Sequence, residues 1–136
     1  MESRDAAAEG GCLCGAIRYV AHGAPTVSMI CHCNTCRRAA GAPVVAWLTF
    51  PLSQFSFVRG RPSEFHSTPL VTRTFCSVCG TSLTYVHTAR PLEIDVVTAS
   101  LDDPEAFPPT HHSWMSSSLG WIRFGDGLPA HRGESS

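Results

Sequence analysis

Read for polarity alone, the chain is a succession of short alternating segments divided by glycine and proline, and the pattern is mainly β in character. Residues 16–21 alternate and predict a first strand directly after a Cys14–Gly15 turn. Residues 44–50 form a β-branched and aromatic run that ends at Pro51. Shorter runs over 55–59, 63–67 and 71–75 are punctuated by Gly60, Pro62 and Pro69, and further strands are predicted over 82–86 and 92–98. Beyond Ser100 the chain reads as loop, with Pro104, Pro108, Pro109 and Gly120. One short helix is expected: Asn34 caps it, residues 36–40 form its body, Gly41 stops it and Pro43 lies just beyond. No repeat of solenoid length is visible.

Composition narrows the class. A chain of 136 residues with 43% hydrophobic content fits one domain with a real core. Its boundaries are expected at a flexible stretch over 1–9, a single domain over 10–131 and a flexible end over 132–136. The 10 basic residues, all arginine, are matched by 11 acids, so no basic footprint for nucleic acid is expected. The longest apolar run, 44–48, is far below membrane-spanning length, so no membrane association is expected. The first nine residues carry acids and lack the apolar stretch of a secretory signal. Seven cysteines without such a signal point to a reducing compartment, by default the cytoplasm, where clustered thiols more often bind metal than pair as disulfides.

The spacing of those cysteines carries the chemistry. They fall as Cys12-x-Cys14, Cys31-x-Cys33-x-x-Cys36 and Cys76-x-x-Cys79. Thiolates one or two residues apart can take adjacent vertices of a metal tetrahedron from one tight turn, and two such pairs close a four-cysteine site. Both pairs are followed by glycine, Gly15 and Gly80, which suits the positive φ and close backbone approach of a metal knuckle. The triplet Cys31, Cys33 and Cys36 supplies three vertices, and no cysteine remains to close it. The pattern reads as two Zn²⁺ sites, one closed and structural, one open and reactive. Closure of the triplet by His32 or His112 is the alternative, which would make the second zinc structural as well, and iron at the four-cysteine site also fits the ligands.

The stretches Gly11-Cys12-Leu13-Cys14-Gly15-Ala16-Ile17-Arg18-Tyr19, Cys31-His32-Cys33-Asn34-Thr35-Cys36-Arg37 and Arg73-Thr74-Phe75-Cys76-Ser77-Val78-Cys79-Gly80-Thr81 resemble the glutathione-dependent formaldehyde-activating enzyme family, which includes centromere protein V. Residues 100–104, His112, Trp121 and 126–129 resemble the family's closing motifs. The resemblance implies an Mss4-like fold, a folded-over β-sheet assembly pinned by zinc. It assigns Cys12, Cys14, Cys76 and Cys79 to the structural zinc and Cys31, Cys33 and Cys36 to a catalytic one. It also implies a carbon–sulfur lyase forming S-(hydroxymethyl)glutathione from a small-molecule thiol, glutathione, and an aldehyde, formaldehyde. The short connections over 51–54 and 87–92 leave room for a lyase, dehydratase or isomerase acting on a different small carbonyl compound without glutathione, and analogy with relatives that share the fold offers a non-catalytic zinc module that binds protein.

Three thiolates on one Zn²⁺ leave a formal charge of about −1, which favours a thiol as fourth ligand and lowers that thiol's pKa. The oxygen that becomes hydroxyl then needs a proton, and His32, His112 and Asp95 are the candidates. His32 reads first as a solvent-facing residue between knuckle ligands, with a proton relay as the alternative. Arg37 and Arg38 could bind a substrate carboxylate or offset the negative zinc; a solvated helix face is the plain reading. Arg73 reads as a strand surface residue, and Trp114 and Trp121 as core or rim packing.

Overall fold

The computed structural model describes residues 7–134. Among them, ten strands and one α-helix follow in the order β1 (Ala7–Gly11), β2 (Arg18–His22), β3 (Val27–Cys31), α1 (Asn34–Ala40), β4 (Val45–Pro51), β5 (Phe55–Arg59), β6 (Ser63–Thr68), β7 (Val71–Phe75), β8 (Ser82–His87), β9 (Glu93–Val97) and β10 (His111–Ser113). A three-stranded antiparallel sheet has the order β1-β2-β5, and a seven-stranded sheet the order β10-β3-β4-β9-β8-β7-β6. Only β10 runs parallel to its neighbour, β3. No helix among the described residues is long and apolar enough to cross a membrane.

The mainly β expectation holds, and β5 and β7 coincide with the runs read at 55–59 and 71–75. Three strands have no such signal. β1 has the sequence Ala-Ala-Glu-Gly-Gly, without one β-branched residue, and is held by main-chain register to β2 from Ala7↔His22 to Gly11↔Arg18. Residues 7–9 are therefore strand rather than flexible terminus; residues 1–6 lie outside the described chain. β3 is half-buried at four of its five positions, which erases alternation, and β10, only three residues long, is drawn into the sheet by the free edge of β3. Within the expected flexible end, Arg132 and Gly133 are hydrogen-bonded, their carbonyls accepting from the amides of Ser116 (3.0 Å) and Trp114 (2.9 Å); residues 135–136 lie outside the described chain.

The core lies between the sheets, where Ile17, Tyr19, Ala21 and Phe55 meet Leu48, Phe50, Leu83, Ile94 and Val96. Side chains alternate along a strand, so burying Leu48, Phe50, Ile94 and Val96 turns Trp47, Thr49, Asp95 and Val97 to the opposite face of the large sheet. There Trp47 joins a second cluster with Cys31, Cys36 and Val45, packed against Met29, Tyr85 and Val97. Two faces of one sheet thus carry two different tasks.

Tyr19 is buried in the first core, 5.3 Å from the ring of Phe55. The hydroxyl of Ser100 donates to the carbonyl of Val97 at 2.7 Å, so Tyr19 Oη donates to Ser100 Oγ at 2.6 Å. Burial pushes the Tyr19 phenol up to about 12. The unfolded phenol titrates near about 10. Between these values the unfolded chain releases the proton first, so stability is full below about pH 10 and falls as pH rises toward 12. Tyr19→Phe is expected to cost about 1 kcal/mol at pH 8 and to abolish that alkaline loss, as read by denaturant titration at both pH values.

Candidate metal centre and catalytic face

Cys12 and Cys14 lie in the turn from β1 to β2, and Cys76 and Cys79 in the turn from β7 to β8. Their sulfurs all lie within 4.8 Å of one another, with Cys12–Cys14 at 3.6 Å and Cys14–Cys76 at 3.8 Å. A zinc tetrahedron with Zn–S of about 2.3 Å has an edge of about 3.8 Å, so the donor set and its spacing fit that ion. The two turns share one design. In each, the glycine has φ 82°, and its amide closes on the first cysteine's carbonyl, Gly15 on Cys12 at 3.1 Å and Gly80 on Cys76 at 2.8 Å. A Cβ at either glycine would meet nothing within 4 Å, so the left-handed backbone, and not close approach, demands glycine here. Backbone amides also point at the sulfurs, from Ile17 to Cys12 at 3.2 Å and from Cys79 to Cys76 at 3.5 Å.

The second cluster is built by a strand end and a helix start. Cys31 closes β3, Cys33 precedes α1 and Cys36 sits in its first turn, their sulfurs within 4.8 Å. The helix cap is Cys33, whose sulfur accepts the Cys36 amide at 3.3 Å, and not Asn34, which is already helical. Gly41 ends the helix as expected. Hydrogen bonding from Cys31 pulls the Cys33 thiol down while the same contact pushes Cys31 up. Three thiolates this close repel, so a cation is what would let all three ionise.

The three sulfurs border a cavity of about 550 Å³ on the face turned away from the core. Strand register lays one row of side chains across that face: Phe65 opposite Arg73, Arg73 opposite Tyr85, Tyr85 opposite Asp95, Asp95 opposite Thr49, and Thr49 opposite Val27. Asp95, 5% exposed, accepts from Thr49 Oγ1 at 2.6 Å and from the Arg90 guanidinium at 3.1 Å; Arg90 also holds Glu93 at 2.7 Å. Arg73 lies 4.9 Å over the Tyr85 ring and directs its guanidinium at Cys36 Sγ (3.8 Å) and Thr35 Oγ1 (3.5 Å). Asp95 thus enters the site as a held carboxylate beside the thiols. Arg73, read as strand surface, faces the cavity because its register partner is Tyr85. Tyr85, Arg90, Glu93 and Thr49 had no motif to mark them; Tyr85 and Thr49 stand in the row that runs across the strands, and Arg90 joins it through its ion pair with Asp95 while holding Glu93.

The histidines lie elsewhere. His32 is fully buried, not solvent-facing, with Nε2 2.9 Å from His112 Nδ1, and His112 Nε2 is 2.8 Å from Asp126 Oδ2. Burial lowers the His32 pKa, with His112 and Arg37 adding to it, so this ring is neutral. Phe124 covers both rings at 5.4 and 4.8 Å. Neither histidine borders the cavity or joins the sulfur cluster. They back the ligand loop from behind, since side chains on either side of His32 point forward. Arg38 borders a neighbouring cavity, whereas Arg37 lies outside both linings. Trp114 stands at the cavity rim, 39% exposed, and Trp121, 74% exposed, packs in no core.

Residues 7–117 match the sequence profile of the glutathione-dependent formaldehyde-activating enzyme family, and the chain belongs to that family. An uncharacterized lyase of Schizosaccharomyces pombe is 33% identical over 88 residues, 59% of this chain and 58% of the relative, so the match spans little more than half of that protein. The crystal structure of a Rhodobacter sphaeroides protein superposes with TM-score 0.59 at 21% identity, over 90% of this chain and 98% of that one, and shows the same fold. The matched stretch contains all seven cysteines and the row from Val27 to Asp95; Asp126 lies beyond it.

The two clusters should separate on mutation. Cys79→Ser opens the turn that ties the two sheets and is expected to abolish a cooperative thermal transition, since structural zinc contributes on the order of 10 kcal/mol. Cys33→Ser is expected to keep the transition while zinc, counted by atomic emission, falls by one ion per chain. Equal unfolding of both variants would contradict this division.

Proposed function

We propose that the protein is a zinc-dependent carbon–sulfur lyase that joins a thiol to an aldehyde and reverses the reaction. The observation that carries this reading is the meeting, in one cavity, of three thiols and a carboxylate held by Thr49 and Arg90. Family membership and the lyase name of the yeast relative support it. Cys31, Cys33 and Cys36 would hold the reactive ion, and Cys12, Cys14, Cys76 and Cys79 the structural one. Zinc bound by three thiolates supplies a site that favours sulfur and lowers the pKa of an incoming thiol below its usual value of about 8.5.

The remaining work falls to side chains. In the forward direction a sulfur lone pair forms the C–S bond, the carbonyl π pair moves to oxygen, and that oxygen takes a proton. Asp95, a carboxylate held between the Thr49 hydroxyl and the Arg90 guanidinium, takes the proton that the thiol gives up and passes it to that oxygen, and the reverse direction returns it to sulfur by the same route. Arg73 offsets the negative charge at Cys36 and offers its fork to a substrate carboxylate. Trp47 and Trp114 bound the cavity and limit water. His32 and His112, held by Asp126, position the Cys31–Cys33 loop instead of touching substrate. Glutathione with formaldehyde is the first pair to examine. Seven cysteines free of disulfides suit a reducing compartment such as the cytoplasm.

Adduct formation followed with glutathione and formaldehyde should exceed the uncatalysed rate and fall to it in Cys33→Ser; an uncatalysed rate at full zinc occupancy would overturn the reaction for this pair. Turnover that persists without glutathione would instead favour another carbonyl substrate. Asp95→Asn is expected to lower kcat by about 10²–10⁴ with zinc content unchanged. Arg73→Gln is expected to raise KM for the thiol about tenfold with a smaller change in kcat, separating a binding role from a proton-transfer one.

A further inference from the structure

Beside the Asp95 cavity lies a second one of about 480 Å³. Thr35, Cys36, Trp47 and Arg73 border both, so the Cys36 sulfur sits at their junction. The two chambers differ in chemistry. Asp95, Arg90, Glu93, Glu134 and Asn34 make the first one polar. The second is walled by Val45, Trp47, Phe65, Phe75 and Val97, with two small residues of α1, Ala39 and Ala40, along one side.

The hydroxyls of the second chamber are already engaged. Thr74 Oγ1 and Thr84 Oγ1 bond to each other at 2.5 Å, Ser82 Oγ donates to the Ala39 carbonyl at 3.3 Å, and Ser67 Oγ accepts from Arg73 Nε at 3.4 Å. Arg38 and Arg73 also border this chamber, and the rest of its lining offers a ligand apolar surface. A polar thiol such as a short peptide suits the first chamber, and a one-carbon aldehyde would leave the second unfilled.

We infer that the second chamber receives the apolar chain of the aldehyde, which makes the substrate class an adduct between a polar thiol and an alkyl or aryl aldehyde. This rests on the reaction proposed above and names its substrate. The bond changes are the same: the thiol sulfur adds to the carbonyl carbon, the π pair moves to oxygen, oxygen takes the proton, and nothing leaves. The chain attached to that carbon extends past Cys36 and Trp47, while the oxygen faces Asp95.

Acetaldehyde, butanal and hexanal have similar carbonyl reactivity and differ in chain length, so the zinc-loaded protein is assayed with each in the presence of glutathione. Burial of each methylene contributes a factor of about four, and kcat/KM is expected to rise at least about tenfold from acetaldehyde to hexanal. Ala39→Phe, at an exposed helix position, fills the chamber and is expected to flatten the series. Titration with 1-hexanol, read from the Trp47 indole resonance, needs no turnover and is expected to show binding that Ala39→Phe removes. A flat series in the wild type with acetaldehyde turnover intact, or no hexanol binding, would overturn the inference and leave the reaction standing. Hexanol binding sensitive to Ala39→Phe, with no aldehyde turned over, would uphold the apolar chamber and overturn the reaction.

Discussion

Leu48, Phe50, Ile94 and Val96 are confined to the space between the two sheets, and the rest of the site depends on that confinement. With these four fixed, period-two alternation leaves Trp47, Thr49, Asp95 and Val97 only the opposite face. Slipping β9 against β4 by one residue would bury Asp95 in the core and expel Ile94 and Val96, a change opposed both by lost apolar burial and by desolvation of a carboxylate. Register is therefore strongly specified at the strands where the candidate chemistry sits. The side-chain row from Phe65 to Val27 is the visible product of that constraint.

The four-cysteine cluster acts on the same problem from outside. Cys12 and Cys14 belong to a turn of the small sheet, and Cys76 and Cys79 to a turn of the large one. Bringing Cys14 to within 3.8 Å of Cys76 closes a separation of 62 residues and keeps the two sheets face to face. Closing so long a loop is entropically costly, which is why a metal-sized set of strong ligands belongs at this place and not within one hairpin. The triplet spans only a strand end and one helical turn, so an ion held there would tie down little of the chain.

His32 shows how a single position can serve the site without entering it. Cys31 and Cys33 point forward, so His32 points back, where Asp126, His112 and Phe124 receive it. The segment after β10 thereby braces a loop from which it is separated by most of the chain. The parallel pairing of β10 with β3 makes this possible, setting Ser113 beside Cys31 and the Ser113 carbonyl 3.0 Å from the His32 amide.

Much of the local structure was legible in the residues themselves. The two, three, two grouping of cysteines, the left-handed glycines after each pair, the short helix with its stop at Gly41 and the strands at 55–59 and 71–75 all follow from spacing, turn chemistry and alternation, which act within a few residues. The strand at Ala7–Gly11, the burial of His32 and the membership of Arg73 and Tyr85 in the site left no such trace. Each depends on a partner that is distant in the chain: β2 for the first, Asp126 and Phe124 for the second, and neighbouring strands for the third. The sequence by itself determined which residues could bind metal and where the chain would turn. Only the tertiary structure decided which face carries the cavity, because cross-strand neighbours are chosen by the register that the inter-sheet core imposes, and no local pattern encodes that register.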